Sequence, residues 1–202
     1  MNKYSHILVG ELIYGHLKDE YGIFLDKESF IRGNVIPDFS YFAIAHPHFI
    51  KLSLGYIQGE VESLSNTYLE SALVGSDYSF RLGIICHYYA DYFCYAHSSN
   101  YRQAVVNHLR YEHLLHGYFQ NNYALVAKIS FALPDAASKS AGEINSQLKS
   151  LHAEYSGLLP SYDNDLNYTL KACAETLVSL VYCSYRQIAR EPLESYREAA
   201  AV

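Results

Sequence analysis

The stretch from Cys86 to Glu112, CHYYADYFCYAHSSNYRQAVVNHLRYE, contains His87, Asp91, His97, His108 and Glu112, all of them residue types that ligate metals. His87 and Asp91 are four residues apart, as are His108 and Glu112. On a helix that spacing puts both members of a pair on one face, about one turn apart. Two such faces can close around metal ions, and the rest of the chain has to bring them together. A single helical histidine is usually a surface or hydrogen-bonded core residue. Five imidazole and carboxylate groups in this arrangement point to metal instead.

The 202 residues are 50% hydrophobic and 18% charged, enough to bury a sizeable core, and the reading is one domain over residues 1–202. A formal net charge of -6, with 15 basic residues that form no run, argues against a nucleic-acid grip built on Lys and Arg. The cysteines at 86, 94, 173 and 183 form no CxxC pair, so they read as reduced, buried thiols. No run reaches the roughly 18 uncharged apolar residues of a membrane span. Glu11 interrupts the N-terminal apolar stretch. The expectation is a cytoplasmic chain without a cleaved leader.

Apolar spacing predicts an all-α fold: a single multi-helical bundle with the metal cluster at one end. Ser5 is placed to cap a first helix that stops at Gly22. A short helix over 26–31 and an irregular loop at Gly33 and Pro37 follow, the loop carrying Asp38, His46 and His48. Ile50, Leu52, Leu54, Ile57, Val61 and Leu64 mark a core helix over 49–65, and a shorter piece is expected over 67–74. One helix should run from 76 or 77 to about Ser98 and the next from Asn100 to about Lys128, with Val105, Val106, Leu109, Leu115 and Phe119 buried. Pro134 breaks the pattern before helices over 142–158 and 163–190.

Zinc takes imidazole nitrogens and carboxylate oxygens at about 2 Å, and i, i+4 pairs on rigid helices present them well. The chain has no HExxH, no ExxH pair and no His-Asp dipeptide. Zincins, ferritin-like di-iron bundles and the helical phosphohydrolases that use His-Asp therefore have no support.

The order SHILVGELI at 5–13, GNVIPDF at 33–39, HPHF at 46–49, HYYADYFCYAH at 87–97 and HLRYE at 108–112 resembles the zinc-dependent phospholipase C family. That family, with the related S1/P1 nucleases, is all-helical with a trinuclear zinc site at the end of a bundle. The resemblance implies that His87, Asp91, Asp38 and a histidine of HPHF hold one zinc. His48 suits the spacing from Asp38, and His46 is the alternative. It assigns His97, His108 and Glu112 to a second ion, and His6 with a bridging Asp91 to a third.

In the secreted members the third zinc is also bound by the amino group and carbonyl of a mature N-terminal tryptophan. This chain has no tryptophan, and Met1 to Ser5 precede His6. A third ion is then either absent or held by other ligands, so two or three Zn2+ are expected.

The resemblance further implies hydrolysis of a phosphodiester, a phospholipid headgroup or a nucleotide, by metal-activated water attacking phosphorus in line. Asp38 would be the base or orienter of that water and Asp91 the bridge, the two catalytic carboxylates. Tyr88, Tyr89 and Tyr92 are candidates to line the approach, and peripheral membrane contact is compatible with a phospholipid substrate. The alternative is a non-catalytic, zinc-stabilised helical module that binds a partner. His16, His113, His116 and His152 match no motif and read as structural or surface residues.

Overall fold

The computed structural model describes residues 1–39, 41–70, 73–126 and 139–199, except for the side chains of Phe42 and of residues 186–199. The chain is all-α. Among the described residues there are eight α-helices and a single pair of two-residue strands. Helix α1 (Lys3–Tyr21) starts at Asn2, whose side chain accepts from the Ser5 amide, so Asn2 is the cap where Ser5 was expected. It ends at Gly22, whose φ of 62° is left-handed and whose amide bonds back to Leu17 and Lys18.

Strand β1 (Phe24–Leu25) leads into α2 (Lys27–Gly33), capped by Asp26, and then a 3-10 turn at Ile36–Asp38 opened by Pro37. Helices α3 (Tyr41–Ala45) and α4 (Ile50–Ser65) follow. The helix expected over 67–74 does not form: the described residues 67–70 lie outside any helix, and β2 (Leu73–Val74) pairs in parallel with β1.

Helix α5 (Ser76–Tyr92) is the axis of the molecule. Every residue from Leu82 to Cys94 is buried, so this helix is enclosed on all sides rather than amphipathic. It packs on α2, α4, α1 and α8 (Tyr162–Ala199). Helix α6 (Val105–Val126) and α7 (Ala141–Ser156) complete the bundle, α7 opening with a reciprocal Ser140–Glu143 capping box.

The expected continuous helix to Ser98 breaks at Phe93. The Cys94 amide turns to Asp91 O at 3.1 Å, and the Tyr95 amide, which a continuing helix would send to the same carbonyl, is taken by Asp165 Oδ2 at 3.1 Å. His97 therefore sits on a 3-10 turn (Tyr95–His97), off the helix. Helix α6 begins at Val105 rather than Asn100, and its expected end near Lys128 and the break at Pro134 lie outside the described residues.

The closest helix contact is α2 on α5. A Cβ on Gly33 would fall on the Phe80 carbonyl, and one on Gly83 would fall on the Phe30 carbonyl. Glycine at both places lets the backbones touch, which fixes Asn34 and the turn bearing Asp38 against the end of α5. Gly83→Ala is expected to lower stability by about 1–3 kcal/mol or more, through overpacking that has no flexible side chain to absorb it. Thermal denaturation measures the loss, and zinc content should fall with it because Asp38 is displaced.

Candidate metal centre

The start of α1, the 3-10 turn at 36–38, the loop before α4, the end of α5, the 3-10 turn at 95–97 and the start of α6 meet at one end of the bundle. They bring together all eight side chains singled out from the sequence: His6, Asp38, His48, His87, Asp91, His97, His108 and Glu112.

Asp91 is at the centre with no exposed surface. Its Oδ2 lies 3.0 Å from His48 Nδ1 and 3.4 Å from His87 Nε2. Its Oδ1 lies 3.4 Å from His6 Nε2 and 3.6 Å from His97 Nε2. The two oxygens of one carboxylate thus face two different sets of imidazoles. Beside the first set, Asp38 Oδ1 is 3.6 Å from His48 and 3.8 Å from His87. Beside the second, Glu112 Oε1 is 3.0 Å from both His97 Nε2 and His108 Nε2.

Outer contacts fix the rings. His48 Nε2 donates to Pro37 O at 3.2 Å and His87 Nδ1 to Asn34 O at 3.0 Å, so each turns its other nitrogen into the cluster. Asn34 Nδ2 also donates to His6 O at 2.6 Å, tying the first turn of α1 to the same residue. Of the two loop histidines, His48 is in the cluster. His46 stacks on Tyr56 at 3.8 Å, and its carbonyl accepts from Tyr88. Tyr88, Tyr89 and Tyr92 are buried packing residues, Tyr92 meeting Ser53 Oγ at 2.8 Å.

Two groups that carry no sequence signal complete the arrangement. The Met1 amino group is buried in the cluster, bonded to Asp91 Oδ1, 3.0 Å from His97 Nε2 and 3.4 Å from Glu112 Oε1. The other is Asp165, at the start of α8. It accepts from the Tyr155 hydroxyl at 2.7 Å, the Tyr111 hydroxyl at 2.9 Å and the Tyr95 amide. It thereby pins the turn that carries His97 to the residue preceding Glu112. Neither residue type nor spacing marks a terminal amine or a carboxylate 53 residues beyond Glu112.

The electrostatics are those of a cation-binding cluster. Burial opposes ionisation of Asp91, but His97, the terminal amine, His6 and His48 outweigh it and hold the carboxyl well below the usual range. Burial likewise opposes charge on the Met1 amine, and Asp91, Cys94 and Glu112 overcome it, raising the group to about 11. Burial and the neighbouring His87 push His6 well below the ordinary histidine value, which keeps it a neutral donor.

His6 and His87 stack at 3.8 Å, and the Nε2 of each is buried without a hydrogen bond of ordinary geometry. Unpaired buried polar atoms are costly, and a cation between them and Asp91 would satisfy all three. The donor set of five imidazoles and three carboxylates fits zinc. Three overlapping groups could each hold an ion: His6 with His87 and Asp91, Asp38 with His48 and His87, and His97 with His108 and Glu112.

Asp165→Ala would leave three donors without their acceptor, the buried Tyr155 hydroxyl at about 1–3 kcal/mol and the part-buried Tyr111 hydroxyl and Tyr95 amide at less. Its expected outcome is a lower melting temperature and roughly 10–100-fold weaker zinc binding at the His97, His108 and Glu112 group. Asp165→Asn, which keeps one acceptor, should fall between. Competitive zinc titration together with thermal denaturation separates the two effects.

The family model for zinc dependent phospholipase C matches residues 5–162, well over half of the chain. No curated protein matches the chain, and no solved structure matches it. The matched span contains every one of the eight clustered side chains and ends just before Asp165. The chain belongs to the zinc dependent phospholipase C family.

Proposed function

We propose that this chain is a zinc-dependent phosphoric ester hydrolase that cleaves a phosphodiester with water. Membership of the family supports a zinc hydrolase, and the arrangement around Asp91 supports the finer reading. One buried carboxylate presents its two oxygens to two ligand groups, which is what a bridge between neighbouring ions requires. In this reading Asp38, His48, His87 and Asp91 hold one ion, and His97, His108 and Glu112 hold a second. His6 and Asp91 would hold a third.

Zinc, when bound by these residues, would supply Lewis acidity, lowering the pKa of a water toward roughly 7 and offsetting charge on the phosphoryl oxygens. The protein's own groups do the rest. Asp38, on a turn and 20% exposed, reaches the solvent side of the cluster and is placed to orient the water and accept its proton. The phosphorus–oxygen ester bond then breaks, and the leaving alcohol takes up a proton. Asp91, His87 and His6, fully buried, keep the groups in register.

Zinc-loaded protein is expected to contain two or three ions and to hydrolyse at least one member of a panel of phospholipids, nucleotide diesters and generic diesters. Asp38→Asn should lower the rate by roughly 10²–10⁴-fold, as for loss of a general base, and weaken zinc binding at the Asp38, His48 and His87 group. Asp91→Asn should lose both zinc and activity. A chain that binds no zinc would overturn this reading, and zinc without hydrolysis across the panel would leave a zinc-stabilised helical binding module.

A further inference from the structure

Two cavities open beside the metal centre, with Phe49 and His97 as their common wall. One, of about 480 Å³, runs from Phe49 and Leu52 to Leu158 and Leu159, and the other, of about 440 Å³, lies between Ala43, His48, Val105 and His108. Val105, expected in the core with Val106 and Leu109, is 75% exposed and forms part of the second wall. Because His97 borders both cavities, a phosphorus held at the cluster has one on either side of it, a place for each ester arm of a diester.

The walls of both lack negative charge. Among the described residues no Asp or Glu lines either cavity. The chain has 21 Asp and Glu, yet none lies in 39–59, 93–111 or 156–162, the segments that form these walls. The carboxylates of the cluster, Asp38, Asp91 and Glu112, are turned to its imidazoles.

Positive groups, by contrast, are present. Lys51 lines the larger cavity. Lys3, the first residue of α1, holds its ammonium 5.0 Å from the centre of the Tyr4 ring and 6.0 Å from that of Phe39, the residue after Asp38. These two aromatic faces, which could hold a cationic arm beside Asp38, are already taken by a cation of the chain itself. An ammonium group on the substrate would enter beside lysines with no carboxylate to pair it.

What the walls offer instead is neutral hydrogen bonding. The segment SSNYRQ at 98–103 serves both cavities: Ser98, Ser99 and Asn100 line the larger, Tyr101 and Gln103 the smaller. The Ser98 hydroxyl oxygen is buried without a hydrogen-bond partner, which leaves it for a hydroxyl group of a ligand.

We infer that this site selects phosphodiesters whose arms carry hydroxyl groups and no cation, a glyceryl or other polyol ester, over those that carry an ammonium group. The inference rests on the phosphodiesterase reading for the reaction and on residues other than the metal ligands for the selectivity.

The p-nitrophenyl phosphodiesters of glycerol and of choline share a leaving group and differ in the other arm. Zinc-loaded protein is expected to hydrolyse the glycerol ester with a kcat/KM roughly tenfold or more above that of the choline ester. Gln103→Glu supplies the missing carboxylate and should narrow the ratio by roughly threefold or more, with zinc content unchanged. Leu73→Glu should leave the ratio in place, since Leu73 precedes α5 and the metal centre is at that helix's other end. Calorimetry on the same zinc-loaded protein reads binding apart from turnover, and glycerol phosphate should bind more tightly than phosphocholine.

Equal or greater activity on the choline ester overturns the inference. So does a ratio that Gln103→Glu leaves unchanged or that Leu73→Glu moves as far. Tighter binding of glycerol phosphate without hydrolysis of either diester would sink the enzymatic reading alone, and hydrolysis with equal or reversed preference would sink this one alone. Neither hydrolysis nor a difference in binding would sink both.

Discussion

A carboxylate without exposed surface, held between imidazoles on both of its oxygens, sets the terms for the rest of this structure. Asp91 can stay ionised in the interior only because His6, His48, His87, His97 and the Met1 amine surround it. Those groups come from α1, the loop before α4, α5 itself and the turn after it. Satisfying one buried charge therefore requires four parts of the chain to arrive at the same place. The enclosed α5 makes the charge unavoidable, and the Gly33–Gly83 contact of α2 on α5 makes the approach close enough.

The all-α fold and most of the site were legible in the sequence, for definable reasons. The pairs His87/Asp91 and His108/Glu112 state their geometry through helical spacing alone. Asp38 and His48 needed the family resemblance, because a loop has no period to read. His97 was assigned to the cluster but placed on a helix. The break that moves it depends on Asp165, 70 residues from the Tyr95 amide that it captures, and no local pattern announces such a partner. The terminal amine was invisible because it belongs to no residue type.

The misread residues are as informative as the correct ones. Val105, Val106 and Leu109 were expected in the core because apolar spacing says that a face avoids water, without saying what covers it. Leu115 and Phe119, about two to three turns beyond Leu109 along α6, are buried as expected. The helix thus changes role along its length, from a first stretch exposed to solvent to the packing of the bundle.

Exposure within the cluster is graded. His6, His87 and Asp91 have none, His97 and Glu112 have 8–9%, and His48, Asp38 and His108 have 12%, 20% and 25%. Freeing any of the first three means separating α5 from its neighbours, which amounts to unfolding the core, whereas the last three can swing outward with the bundle intact. Any ion held here would be reached from the side of the outer three side chains, while the inner three would stay in place as a preformed half-site. In a centre built this way the parts that fix the fold and the parts that meet solvent are different side chains.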